Sequence, residues 1–187
     1  MSENLKILAF VGMAGSGKST SVDYMTGNGY PKVYFGGVVL DAVKEAGLEL
    51  NEENERKIRE ELRAKEGNDF IAKRIIQQIR DLAAAGQHRV IADGLYSWTE
   101  YKALKHEFPG ELTVVAVVAP KNIRYDRLAD REVRPLDLEA AKDRDYSEIE
   151  HLEKGGPIAI ADYYIYNEKS RQEIYSKLYE ILQEIEF

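Results

Sequence analysis

Eight residues near the N-terminus, Gly12-Met13-Ala14-Gly15-Ser16-Gly17-Lys18-Ser19, restrict the folding of this chain more than any other stretch. They match G-x-x-x-x-G-K-[ST], a motif that works only when a strand runs into it and a helix runs out of it. Both are expected here. Residues 5–11 form a short, almost unbroken apolar run, the pattern of a strand covered on both faces of a parallel sheet. A helical stretch opens at Lys18. In that context the glycines let successive backbone amides converge on a phosphate, the helix N-terminus adds positive potential, and Lys18 reaches the outer phosphates. Ser19 is the candidate Mg²⁺ ligand, and the cradle runs from Gly12 to Thr20.

The rest of the chain alternates between two hydrophobic periods, as an α/β fold requires. Residues 33–35, 89–92, 112–119 and 163–166 are the further candidate strands. The helices between them have readable ends. Asn51 suits an N-cap, and Gly67 stands where a left-handed C-terminal residue is wanted. Ile71, Ile75, Ile79 and Leu82 mark one face of a helix that stops at Gly86. Ser97 with Glu100, and Ser170 with Glu173, fit the capping box. The final helix carries Ile174, Leu178, Ile181, Leu182 and Ile185 on one stripe, which reads as packing. With 187 residues and no repeat or linker, the expectation is one domain.

Charge and composition narrow the partners. Twenty-six Lys and Arg against 33 Asp and Glu leave a net charge of -7, which argues against a sequence-independent grip on nucleic acid. The chain has no cysteine, hence no disulfide, thiolate nucleophile or Cys-based zinc site. His88, His106 and His151 never fall at the i, i+4 spacing of a metal pair and read as surface residues. The longest apolar run, 112–120, is far short of the ~18 residues of a membrane span, and the start lacks a signal-peptide pattern. A cytoplasmic protein with no nucleic-acid or membrane partner is expected; oligomeric state is not legible.

A Mg²⁺-nucleotide site also wants a carboxylate at the end of a neighbouring strand. Val90-Ile91-Ala92-Asp93 supplies one, on the edge where open α/β sheets bind ligands, and Gly94 permits close approach. An Asp after a strand is also a common turn former; beside the loop motif it becomes the best metal and catalytic candidate. A guanine-reading Asn-Lys-x-Asp is not matched by Asn167-Glu168-Lys169, so a small GTPase is disfavoured. Phosphoryl transfer by a small kinase instead demands cations around the migrating group. Arg127, Arg131, Arg134 and Arg144 stand together in the charge-dense stretch 124–154, a candidate lid. Taken singly, each also reads as part of a solvated face balanced by Asp126, Asp130, Asp137 and Asp143.

The loop motif, Asp93-Gly94, Arg127-Leu128-x-x-Arg131, Arg144 and Ala161-Asp162-Tyr163-x-Ile165-x-Asn167 together resemble the P-loop nucleoside monophosphate kinase group. Within it they look closest to dephospho-coenzyme A kinases and uncharacterised adenylate-kinase-related proteins. The resemblance implies a P-loop NTPase three-layer sandwich: a five-stranded parallel sheet, helices on both faces and a small helical lid. It implies an acceptor-binding helical region at 36–86 and a lid region at 121–156. Arg127 would stack on adenine, Arg131 and Arg144 would contact the transferring phosphates, and ATP with Mg²⁺ would be bound.

Two departures bear on the acceptor. The group's Gly-Asp and Arg after the second strand are replaced here by Gly36-Gly37-Val38-Val39-Leu40, and Leu95, Tyr96 and Ser97 stand where an Arg often follows the Asp-Gly. Arg63 and Arg74 are the substitute acceptor anchors, with Gly94 beside them, although both arginines also suit the exposed side of amphipathic helices. The expected activity is ATP-dependent phosphoryl transfer to a small-molecule acceptor, a nucleotide or a nucleotide-like cofactor precursor. The alternative is a nucleotide-binding ATPase switch that has lost its acceptor site. Arg171, at the start of the final helix, has no assigned role.

Overall fold

The computed structural model describes residues 4–132 and 134–187. The apolar runs become β1 (Lys6–Val11), β2 (Lys32–Tyr34), β3 (Arg89–Asp93), β4 (Leu112–Val118) and β5 (Tyr163–Tyr166). All pairings are parallel, in the order β2-β3-β1-β4-β5. The strand leading into the glycine-rich loop is central because its side chains serve both faces. Ile7, Ala9 and Val11 enter one core cluster, while Leu8 and Phe10 enter the other. The edge strands are short and place Tyr34, Tyr164 and Tyr166 toward solvent, which suits strands with only one neighbour.

Two helices, α1 (Lys18–Gly27) and α9 (Arg171–Glu184), cover one face. Val22, Met25, Ile174 and Leu178 pack there on Leu8, Phe10 and Val115. The other face is covered from the segment between β2 and β4, through α2 (Gly37–Glu45), α3 (Glu52–Glu66), α4 (Phe70–Ala84) and α5 (Trp98–Glu107). On α4, Ile75 and Ile79 are fully buried as expected, but the stripe is rotated. Phe70 is buried and Ile71 only half-buried, because the aromatic ring takes the core position at the helix start. Between β4 and β5 run α6 (Lys121–Ala129), α7 (Leu138–Glu150) and α8 (Gly155–Ala159).

The expected helix ends are largely present. Asn51 Oδ1 accepts from Asn54 N at 2.9 Å, and Gly67 takes a positive φ of 97°. Ser97 and Glu100 form a reciprocal capping box, whereas Ser170 only accepts from Glu173 N, at 3.3 Å. The Ser97 box also shapes the cleft, because Glu100 Oε2 accepts from Tyr96 N at 3.0 Å as well as from Ser97 N at 2.9 Å. Burial pushes the Glu100 carboxyl above its ordinary range, against those hydrogen bonds. Ser97→Ala should therefore cost about 1 kcal/mol, the usual value of a side-chain N-cap. Urea unfolding of the two proteins measures it, with an unchanged m-value expected.

Candidate active site

Because the strands are parallel, the loop after β1 and the ends of β3, β4 and β5 all meet at one edge of the sheet. The loop is tightly supported there. Gly15 has φ 78°, and a Cβ on it would sit 2.6 Å from the Arg124 carbonyl oxygen. Gly17 has φ 94°, and a Cβ would fall on the Asn167 side-chain amide. Asn167, just past β5, donates from Nδ2 to the Ser16 carbonyl at 2.7 Å, while its own N–H donates to Val118 O at 2.8 Å. Arg127 Nη2 in turn donates to Asn167 O at 3.1 Å and to Asn167 Oδ1 at 3.2 Å. Arg124 is buried, forks onto Asp145 and donates to Ala14 O at 2.9 Å. The carbonyls of Ala14 and Ser16 are thus held from behind by side chains from other segments.

At the front, Lys18 pairs with Asp93 Oδ1, and Lys32 Nζ lies 3.8 Å from Asp93 Oδ2. The Tyr96 ring stands beside them, with Lys18 Nζ 5.8 Å from its centroid. Burial, followed by the neighbouring Tyr34, Asp93 and Glu148, raises the Tyr96 phenol far above its ordinary pKa. It stays neutral at physiological pH. Tyr34 lies across Gly36 and Gly37: a Cβ on Gly36 would sit 2.5 Å from its hydroxyl, and one on Gly37 would press on its ring at 3.1 Å. The glycines that replace the group's acidic residue therefore make room for an aromatic side chain.

The cleft over the loop has a volume of about 430 Å³, and its walls include Tyr96, Arg127, Arg131, Arg144, Lys154 and Arg171. A second hollow of about 460 Å³ is lined chiefly by Trp98, Ile149, Ala159 and Ile160, with Glu153 as its charged side chain. The first is the one that adjoins the glycine-rich loop and carries the cations. Its least expected component is Glu148, on α7 and 1% exposed. Its Oε2 accepts from Ala14 N at 3.1 Å, and its Oε1 accepts from Arg144 Nε at 2.9 Å and lies 2.8 Å from Lys154 Nζ. Burial alone would raise this carboxyl. The hydrogen bonds and charges of Lys154, with Arg144 and the Ala14 amide, outweigh it and lower the pKa.

The structure brings Lys18, Asp93, residues Gly12 to Thr20, Arg127, Arg131 and Arg144 to one cleft edge, with Gly94 buried beside Tyr96. It does not bring Arg63 or Arg74 there. Arg63 is exposed on α3, and Arg74 makes a two-pronged pair with Glu66, at 3.1 and 2.7 Å. Arg134 is exposed with a left-handed φ of 53°, outside the cleft walls. Arg171, unassigned from sequence, is a wall residue. Sequence reasoning also missed Glu148, Lys154 and Tyr96. The readable signal was the pair Glu148 and Lys154 across the end of α7, but nothing local shows that they turn inward.

Among proteins of known sequence, the AAA domain family matches residues 8–153. The UPF0200 protein of Thermococcus onnurineus is 34% identical over 182 residues, covering 96% of this chain and 97% of the relative. The chain belongs to the UPF0200 family. Another member, the UPF0200/UPF0201 protein of Archaeoglobus fulgidus, is 36% identical over 95% of this chain, which spans 55% of that longer relative. The fold is that of the P-loop kinases: a shikimate kinase from Bacteroides thetaiotaomicron superposes with a TM-score of 0.59 at 12% identity, covering 97% of this chain and 99% of that one.

Glu148 offers a test of this site that needs no ligand. Its lowered pKa means that it stabilises the fold at neutral pH, fully above its unfolded value and progressively less as pH falls through the folded one. Glu148→Gln leaves Lys154 buried without its counter-charge and should cost about 3 kcal/mol at pH 7. The gap from wild type should begin to narrow as pH falls below about 4, the ordinary carboxylate range, and continue to narrow through the lower folded value. Chemical denaturation across pH 3 to 7 measures both.

Proposed function

We propose that this protein transfers the γ-phosphoryl group of ATP to a small-molecule acceptor. The observation that carries the reading is the convergence of Lys18, Arg127, Arg131 and Arg144 on one cleft of about 430 Å³ over the glycine-rich loop. Pure nucleotide binding needs the loop amides and Lys18. Arginines arriving from a separate segment are what a charge-dispersed transition state requires.

The residues fit Mg²⁺. Ser19 offers an exposed hydroxyl and Asp93 a carboxylate on the same edge, an all-oxygen set suited to a hard cation that keeps most of its water. Ser16 Oγ is buried in the loop without a hydrogen-bond partner, close against Gly12. Ser19 and Asp93 would hold the ion, which would supply positive charge against the phosphate oxygens. The loop amides from Gly12 to Thr20 bind the phosphates. Lys18 exchanges Asp93 for the β- and γ-oxygens. Arg127, anchored on Asn167, stacks on the adenine, and Arg131 and Arg144 contact the migrating group.

The acceptor is a nucleotide or a nucleotide-like cofactor precursor, bound over the segment 36–86 and against Gly94, with 121–156 acting as lid. An acceptor long enough to reach the α3–α4 turn would meet Arg63 and Arg74. A cytoplasmic setting would suit such substrates. Tyr34, filling the space over Gly36 and Gly37, favours a second reading in which the loop works as a nucleotide switch with no acceptor. A coupled ADP-release screen across nucleoside monophosphates, nucleosides and dephospho-coenzyme A separates the two. Acceptor-stimulated turnover supports the kinase, and acceptor-independent turnover supports the switch.

Lys18→Ala should abolish turnover and most of the Mg²⁺-ATP-induced rise in melting temperature while leaving the unliganded protein folded. Unchanged melting shifts and unchanged turnover would remove the assignment. Arg131→Ala should lower kcat by ~10²-fold with little change in ATP affinity, because a contact made only in the transition state acts on kcat. Steady-state kinetics beside an equilibrium nucleotide titration checks it; Arg171, being a wall residue, is not a neutral control.

A further inference from the structure

The cleft contains more positive charge than its own carboxylates neutralise, and two of those cations, Arg171 and the buried Lys154, have no role in the phosphoryl transfer just described. Lys154 is 6% exposed, at the N-cap of α8. It reaches the cleft through a tight reversal after α7, in which Glu153 takes φ 52° and Lys154 N donates to Glu148 O at 3.1 Å. Close packing of Gly156 against Trp98 brings α8 up to the β3–α5 connection, since a Cβ there would lie 2.7 Å from the indole. The ammonium is thereby set 4.3 Å from the centroid of the Tyr96 ring, on the same ring that Lys18 approaches.

A buried ammonium is costly unless paired. The carboxylate partner of Lys154 is Glu148, and Glu148 is shared with Arg144 and the Ala14 amide. Asp93 is likewise shared, between Lys18 and Lys32. Among the described residues, these two carboxylates face four cations, Lys18, Lys32, Arg144 and Lys154. The balance lacks two negative charges before Arg127, Arg131 and Arg171 are counted. Glu148 meanwhile sits on a loop amide, as an anionic oxygen of a bound phosphate would. The arrangement is complete only when an oxyanion joins it.

We propose that Lys154 is a phosphoryl-facing cation of this site, held over the loop by Glu148 and Tyr96. It contacts the oxygens of the migrating group when these take the Ala14 amide from Glu148. Lys154 acts by charge and carries no proton in the reaction. Glu148 and Tyr96 are positioning residues, the first through the ion pair and the second through its ring face. This rests on the reading that the loop binds Mg²⁺-ATP, and it adds a residue to that site.

The test compares Lys154→Gln, Lys154→Arg and, as a neighbouring lysine on α7 outside the cleft walls, Lys142→Gln, with Lys18→Ala run beside them. Glutamine keeps a donor for Glu148 and removes the charge. Turnover is read as ADP release from Mg²⁺-ATP, with and without the acceptor screen, and affinity by titration with a fluorescent ATP analogue. The expected result is a ~10²-fold fall in kcat for Lys154→Gln with affinity changed only a few-fold. Recovery to within about tenfold is expected in Lys154→Arg, and no change in Lys142→Gln. Lys154→Gln turning over like Lys142→Gln, while Lys18→Ala is inactive, overturns the proposal and leaves the kinase reading standing. Undiminished binding and turnover in Lys18→Ala overturns that reading instead. If Lys154→Gln melts below the assay temperature, Lys154→Arg decides: a rate near wild type supports a charge-only role, and a ~10²-fold loss in folded protein refutes it.

Discussion

Nearly everything at the ligand-binding edge depends on how the glycine-rich loop is held, and the holding is done by hydrogen bonds from distant segments to its backbone. Asn167 and Arg124 take the carbonyls of Ser16 and Ala14, and Glu148 takes the Ala14 amide. These residues come from the end of β5, from α6 and from α7, so the loop ties the segment between β4 and β5 to the central strand. The glycines permit this closeness: side chains at Gly15 or Gly17 would displace Arg124 or Asn167. With its carbonyls fixed from behind, the loop backbone is already shaped, and the contacts an anion would displace are those of Lys18 with Asp93 and of the Ala14 amide with Glu148.

The same network explains why buried charge is tolerated in so small a core. Arg124 with Asp145, and Lys154 with Glu148, are buried pairs whose desolvation is offset by several hydrogen bonds each rather than by one contact. The Lys154 pair is the less self-sufficient of the two, since burial pushes the ammonium pKa down and Glu148 only partly restores it. A site left slightly short of negative charge is well suited to an anionic ligand and poorly suited to a neutral one.

The side of the cleft where an acceptor is proposed to bind follows a different logic. Where the resemblance to nucleoside monophosphate kinases calls for an acidic residue and arginines, this chain has Tyr34 laid over two glycines, and Tyr96 flanked by two ammonium groups. Large neutral rings with high pKa values replace charged anchors. Specificity built from such rings would depend on shape and cation–π contact more than on two-pronged salt bridges.

The sequence alone determined the parallel α/β architecture, the glycine-rich loop between strand and helix, Asp93 at the end of its strand and most helix caps. These depend on local periodicity and on residues within a few positions of one another, such as Ser97 with Glu100. It left the arginines between 124 and 154 suspended between lid and solvated face, and it gave Arg171 no role. Only the tertiary structure separated Arg124, a buried brace, from Arg131 and Arg144 on the cleft wall, and Arg134 outside it. It alone turned Glu148 and Lys154 inward. Whether a charged side chain faces water or a loop amide 134 positions earlier in the chain is set by how α7 and α8 dock on the sheet edge, and no local pattern in the sequence encodes that docking.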